Sequence, residues 1–305
     1  MTLHQSNDQL AADIVEPNLD LDIRIWGARG SLPASGPDFV RYGGETCAVE
    51  VQAGAHTLVF DAGTGAVAMG QSLRERGVKK IDIFLTHAHN DHVMGLPFFA
   101  PMRDPQARIR IFVGGSSAEA ETDAQACARL DDFFRHPFFP VGLDVFPAEL
   151  SVHAMPSTVF SPANGLHVTP AALNHPGGAT GFRLRHHHST FAYVTDFEQD
   201  GSTGDAAAIE LMADADLALL DATLLPGEYE LAKGWGHAHW LAASQLADRA
   251  GVGRFGLFHH RHDRTDHELE KIKTQVTHRF PKAFIAGTGQ RYCLRQLHRS
   301  VVHSM

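Results

Sequence analysis

Ile81-Asp82-Ile83-Phe84-Leu85-Thr86-His87-Ala88-His89-Asn90-Asp91-His92 is an apolar run that ends in three imidazoles and a carboxylate. The segment Ile81 to Thr86 predicts a short buried strand, because a brief apolar run bounded by polar residues suits a strand covered on both faces. Polar residues directly after such a strand sit at its C-terminal edge, where α/β proteins place their chemistry. Burying so many polar groups costs free energy unless something positive lies among them. Neutral imidazole nitrogens and carboxylate oxygens suit zinc, manganese or iron. In a turn leaving a strand, side chains two apart can face the same point. His87 and His89 can then share one ion while Asp91 and His92 turn towards a second. The competing reading is a solvated histidine-rich loop, which suits a lone histidine better than this spacing.

Outward from this stretch, the chain opens β-rich and then alternates strands with helices. Leu21 to Trp26 alternates apolar and polar residues, as a half-buried strand does. Thr46 to Val51 and Thr57 to Asp61 read as strands around the Ala53-Gly54 turn. Helices are expected at Val67–Gly77, Ala118–Phe134, Leu241–Ala250 and Asp266–Phe280. Short strands are expected within the Pro-rich stretch Pro137–Pro170. Phe182–Leu184 and Thr190–Thr195 read as a hairpin whose exposed tip is His186-His187-His188. Further strands are expected at Leu217–Asp221, Arg254–His259 and Ala283–Ile285. Residues 1–20 read as a flexible tail, and 21–305 as one α/β (α+β) domain of two sheets back to back with helices outside.

The 305 residues carry 35 acidic and 26 basic side chains, a formal net charge of −9, which disfavours a nucleic-acid partner. No apolar run reaches the roughly 20 residues of a membrane span. The first twenty residues lack the basic and apolar regions of a secretory signal. Three widely spaced cysteines, Cys47, Cys127 and Cys293, form no metal-type pair and fit a reducing cytoplasm. The 21 histidines are the unusual feature of the composition. His278, His298 and His303 read as surface residues. Arg29 and Arg41 lie in loops where either could meet a substrate phosphate, although a surface arginine is the favoured reading for both.

His87-x-His89-x-Asp91-His92 resembles the signature of the metallo-β-lactamase superfamily, and the resemblance extends over roughly residues 21 to 290. It implies a four-layer αββα sandwich, the metallo-β-lactamase fold, that binds two divalent ions, zinc first with manganese or iron as alternatives. The resemblance implies the ligands His87, His89, Asp91, His92, His175 (in Asn174-His175-Pro176-Gly177-Gly178), Asp196 (in Thr195-Asp196) and His259. His260 competes with His259 for the last place. Asp61, in Phe60-Asp61-Ala62-Gly63-Thr64-Gly65, matches the acid that supports a ligating histidine from behind. The chain is most similar to the branch holding ribonuclease Z and cyclic-nucleotide phosphodiesterases, on three features: an aspartate at 196, no cysteine there, and His237 ahead of a helix.

The resemblance implies a metal-dependent hydrolase, most closely a phosphodiesterase. It would act on a small phosphodiester such as a cyclic nucleotide, through a hydroxide held between the ions. Asp91, also a ligand, and His237, as the acid at the leaving group, are the implied catalytic residues; His239 competes with His237. Alternatives are a lactone or thioester hydrolase, ribonuclease Z-like RNA processing, and a non-catalytic metal or nucleotide sensor. A homodimer is implied by analogy with the branch.

Overall fold

The computed structural model describes residues 19–116, 121–137, 139–201 and 203–295. Its first half holds β1 (Leu19–Gly27), β2 (Arg29–Gly30), β3 (Ala48–Ala53), β4 (His56–Phe60), α1 (Gly65–Glu75), β5 (Lys80–Leu85), the single turn α2 (Asn90–Val93), β6 (Arg108–Val113), α3 (Asp123–Asp131) and β7 (Glu149–Ala154). The second half holds β8 (Phe160–Ala163), β9 (Leu166–Leu173), β10 (Ala179–His186), β11 (Ser189–Val194), α4 (Thr203–Met212), β12 (Leu217–Asp221), α5 (Tyr229–Ala232), α6 (Trp240–Arg249), β13 (Arg254–Phe258), β14 (His260–Arg261), α7 (Asp266–Arg279), β15 (Ala283–Ile285) and β16 (Arg291–Arg295).

Two seven-stranded sheets form, in the orders β16-β1-β3-β4-β5-β6-β7 and β15-β13-β12-β11-β10-β9-β8, and β14 pairs with β2 beside them. Side-chain alternation along each strand assigns its two faces to different layers. In β5, Ile81, Ile83 and Leu85 join the cluster under α1, while Phe84 joins the cluster between the sheets. In β12, Leu217 and Leu219 face the other sheet, while Ala218 and Leu220 pack with α4 and α6. Three buried apolar clusters therefore fill three interfaces between four layers, an αββα sandwich. Phe60 ties the middle together, its ring centroid 5.4 Å from Phe84 in its own sheet and 5.4 Å from Phe182 in the other.

β4, β5 and β6 run parallel, as do β11, β12 and β13, so each sheet delivers several strand ends to one edge. Asp61 follows β4, Thr86 and His87 follow β5, Asp196 lies two residues beyond β11, and His259 follows β13. That shared edge holds the site.

Several expectations shift. α3 is shorter than Ala118–Phe134: Thr122 accepts the Gln125 N–H and the Gln125 side chain accepts the Thr122 N–H, a reciprocal cap that starts the helix at Asp123. Residues 117–120 lie outside the described ones, as do 1–18 of the expected tail and His298 and His303. β1 begins at Leu19, inside the expected tail. His186 is no part of an exposed tip; it is buried and its Nδ1–H donates to Asp20 O at 2.7 Å, leaving His187 and His188 exposed. Arg29 is buried rather than on the surface: its guanidinium donates to the carbonyls of Gly43 and Arg264, pinning two loops. Arg41 is exposed and pairs with Glu270. No helix among the described residues is long and apolar enough to cross a membrane.

Candidate metal site

Three of the residues at the shared edge hold a left-handed backbone despite having side chains: Asp61 (φ 58°), Asp196 (φ 56°) and His259 (φ 58°). Such conformations cost about 1–3 kcal/mol each and persist where surrounding structure enforces them. Here each one turns the chain sharply after a strand and directs a polar side chain into the seam between the sheets.

Asp61 is fully buried and organises the His87 loop. It accepts the Thr86 N–H at 2.8 Å, the Thr86 hydroxyl at 3.0 Å, the Tyr193 hydroxyl at 2.9 Å and the His92 Nδ1–H at 2.8 Å. A carboxylate can only accept, so His92 carries its proton on Nδ1 and presents Nε2 to the site. His175 donates Nδ1–H to Gly236 O at 2.9 Å, and His259 donates Nδ1–H to the Thr223 hydroxyl at 2.9 Å, which itself donates to His259 O. Their Nε2 atoms therefore also face inwards. Gly236 is required where it stands: its φ is +85°, and a Cβ there would lie 2.2 Å from His175 Nδ1.

The inward atoms cluster around Asp196. Its Oδ1 lies 3.9 Å from His87 Nε2 and 3.8 Å from His175 Nε2, whereas its Oδ2 lies 3.1 Å from His92 Nε2 and 3.3 Å from His259 Nε2. His89 Nδ1 lies 3.3 Å from His175 Nε2, at the first end. Asp91 Oδ2 lies 3.3 Å from His92 Nε2 and 3.1 Å from His259 Nε2, at the second. Ligands on one tetrahedral ion with bonds of about 2.0–2.2 Å stand roughly 3.3–3.6 Å apart, so the first end, at 3.3–3.9 Å, is slightly wider and the second, at 3.1–3.3 Å, slightly tighter than coordination spacing.

The donors fit divalent ions. His87 Nε2 and His92 Nε2 are buried without a hydrogen-bond partner, a costly condition that a cation relieves. Burial pushes the His87 imidazolium pKa down, as does neighbouring His92, so His87 stays a neutral donor. Burial would raise Asp91 and Asp196, but the surrounding imidazoles outweigh it and hold both carboxyls well below the usual carboxylate range. Burial likewise opposes a charge on His92, yet Asp196, Asp91 and Asp61 raise its pKa well above the ordinary value. The same three carboxylates favour any cation placed at its Nε2.

All seven expected ligands, His87, His89, Asp91, His92, His175, Asp196 and His259, thus meet in one place, with Asp61 behind His92. His260 does not join them: its Nε2–H donates to Ala286 O at 2.8 Å, and burial holds its pKa down to about 3. His237 borders the site, its ring centroid 4.9 Å from that of His259. His239 instead caps α6, where its Nδ1 accepts the Ala242 N–H at 3.1 Å.

Three site residues carried no signal of their own in the sequence. Asp221 ends β12 and reads there as a strand terminus, yet it is buried and accepts the His237 Nδ1–H at 2.8 Å and the backbone N–H groups of Thr223 and Ala238. Burial lowers the His237 pKa, but Asp221 beside it more than compensates and carries it up to about 9. Glu198, also buried, accepts the N–H groups of Gly234 and Gly236 at 2.9 Å and so fixes the loop that orients His175. Cys47, buried one residue before β3, brings its Sγ within 4.8 Å of ligand atoms on His92 and His259. Burial raises its thiol pKa well above the ordinary value.

Comparison with known proteins agrees with this geometry. A family profile described as Beta-lactamase superfamily domain matches residues 56–260. A ribonuclease Z of Lacticaseibacillus casei (strain BL23) is 27% identical over 243 residues, 66% of this chain and 74% of the relative. A diphosphatase of the PhnP family has a similar structure, with a TM-score of 0.64, 19% identity, and 90% of this chain and 100% of that one covered. Zn(2+)-bound PqqB from Methylobacterium extorquens is similar with a TM-score of 0.67, 15% identity and the same two coverages. The expected sandwich is the observed fold. The expectation against a nucleic-acid partner finds no support, since one relative is by name a ribonuclease.

Proposed function

The chain belongs to the beta-lactamase superfamily, and from this premise we propose that it is a metal-dependent hydrolase that cleaves phosphodiesters at a two-metal site. The observation that carries the proposal is the division of Asp196, one oxygen facing His87 and His175 and the other facing His92 and His259. A carboxylate so placed suits a bridge between two cations. His87, His89 and His175 would hold one ion, Asp91, His92 and His259 the other, with zinc the metal that best suits these donors. Bound there, the ions supply positive charge that favours hydroxide over water at neutral pH and offsets charge growing on phosphoryl oxygens.

The chain's own groups supply the rest. Asp91, pinned by the Ser31 N–H at 2.7 Å and ionised, would offset the charge of the ion it helps to hold and accept a hydrogen bond from the attacking water. Asp221 holds the His237 Nδ1–H and favours the charged imidazolium, so Nε2–H would be the proton given to the departing alkoxide. Such proton donation contributes about 10²–10⁴-fold. Asp61 fixes the His92 tautomer, and through the Thr86 hydroxyl, 3.0 Å from His87 Nδ1, it orients His87 as well. The three cysteines form no disulfide and suit a reducing, cytoplasmic setting.

The substrate has two readings within this chemistry. A small phosphodiester such as a cyclic nucleotide suits the net charge of −9, whereas the ribonuclease Z relative favours an RNA phosphodiester. Protein reconstituted with zinc or manganese is assayed on bis-p-nitrophenyl phosphate, cyclic nucleotides, precursor transfer RNA, lactones and thioesters. Phosphodiester turnover that is lost in His87→Ala is expected. Turnover of lactones or thioesters alone, or metal binding with no turnover, refutes the proposal.

A further inference from the structure

The two ends of the site differ in a way that the seven histidine and aspartate donors do not account for. Beneath the end formed by Asp91, His92 and His259 lies Cys47, fully buried one residue before β3. Its Sγ, a ring nitrogen of His92 and a ring nitrogen of His259 all lie within 4.8 Å of one another. A second observation bears on the same spot: His92 is fully buried, and its Nε2 has no hydrogen-bond partner. The thiol donates a hydrogen bond to Arg29 O at 3.4 Å, and an S–H group is a weak donor. The other end, around His87, His89 and His175, has no such sulfur among its grouped donors.

We propose that Cys47 is a sulfur ligand of the metal at the His92–His259 end, making that position softer than its neighbour. This rests on the metal-site reading given above and extends it to a donor outside the seven. The step is simple in its balance: a divalent ion binds, the thiol proton leaves to solvent, and one metal–sulfur bond replaces the weak contact with Arg29 O. Its consequence is selectivity. Thiolate favours zinc and other softer ions, whereas carboxylate and water suit manganese. The His92–His259 end should therefore retain zinc or cobalt when manganese is in excess, and the His87–His175 end should exchange more freely.

Cobalt(II) tests the assignment by absorption spectroscopy, without turnover. Metal-free full-length protein is titrated with Co²⁺, following the visible d–d bands and the near-ultraviolet thiolate-to-cobalt charge-transfer band. The charge-transfer band is expected in the unaltered chain. It should vanish in Cys47→Ser while the d–d bands remain, and persist when Cys127 and Cys293 are replaced by serine. Zinc affinity at one of the two positions should fall in Cys47→Ser by at least the roughly 10–100-fold that loss of an outer partner causes. Saturated d–d bands without a charge-transfer band in the unaltered chain overturn the proposal, whether or not Cys47→Ser folds. A band that survives Cys47→Ser also overturns it. Absence of any cobalt spectrum overturns the metal site itself, and so separates the two failures.

Discussion

Asp61→Asn changes one atom of the site's support and leaves its shape intact, so its effect can be worked from four hydrogen bonds. Asn keeps a carbonyl oxygen for the Thr86 N–H and hydroxyl, which reach Asp61 Oδ1 at 2.8 and 3.0 Å. Its NH₂ then occupies the place of Oδ2, where the His92 Nδ1–H arrives at 2.8 Å and the Tyr193 hydroxyl at 2.9 Å. Donors now face donors. Tyr193 can turn its proton away and accept, but His92 relieves the clash only by moving its proton to Nε2. That atom faces Asp91 at 3.3 Å and Asp196 at 3.1 Å, where a cation would bind. Metal binding must first reverse the tautomer, so affinity at that end should fall about 10–100-fold, or about 1.4–2.8 kcal/mol at 1.4 kcal/mol per decade. Stability should fall by about 1–3 kcal/mol from the lost charge-assisted bonds, which a domain stable by roughly 5–15 kcal/mol survives. Zinc titration by calorimetry against a competing chelator, paired with urea unfolding, reads both numbers. Zinc affinity within about twofold of the unaltered chain, in a folded variant, would refute the claim that Asp61 sets the His92 tautomer.

His237→Ala should lower kcat for substrates with alkoxide leaving groups by about 10²–10⁴-fold, with a much smaller loss for p-nitrophenolate, which needs no proton; equal losses on both would remove His237 as the acid. His239→Ala should cost about 0.5–2 kcal/mol by uncapping α6 while metal content and kcat hold, measured by urea unfolding beside the activity assay. Phe60→Ala, at the centre of the inter-sheet core, should destabilise by about 3–5 kcal/mol, and a loss under about 1 kcal/mol would contradict the packing given to that ring. Chelation should abolish turnover and lower Tm, with both restored by zinc, since an ion held only by the folded chain stabilises it.

Much of the site was legible because its ligands follow strands directly. Leu85 to His92 shows the change from apolar run to polar cluster in the text itself, and so do Val194 to Asp196 and Phe258 to His259. The choice between His259 and His260 was not legible: adjacent residues differ by a left-handed turn at position 259, which a strand pattern does not encode. Asp221 was hidden for a related reason, since its role depends on a loop returning sixteen residues later to place His237 against it. Glu198 and Cys47 act through contacts between elements far apart in the chain, and Arg29 was misread because its partners, Gly43 and Arg264, lie in two separate loops. In the fold, β6 was legible from the charged–apolar alternation of Arg108 to Ile111 although it was not among the expected strands, whereas α4 carried a weak pattern. α4 is rich in alanine and small residues, so its helical face barely stands out from its surroundings.

Crystals grown with zinc and measured at the zinc absorption edge test the central claim most directly. An anomalous difference map should show two peaks in each chain, one among His87, His89 and His175 and one among Asp91, His92 and His259, with Asp196 between them. A map with no peak there, or with zinc bound only at surface histidines such as His187 or His188, would contradict the account.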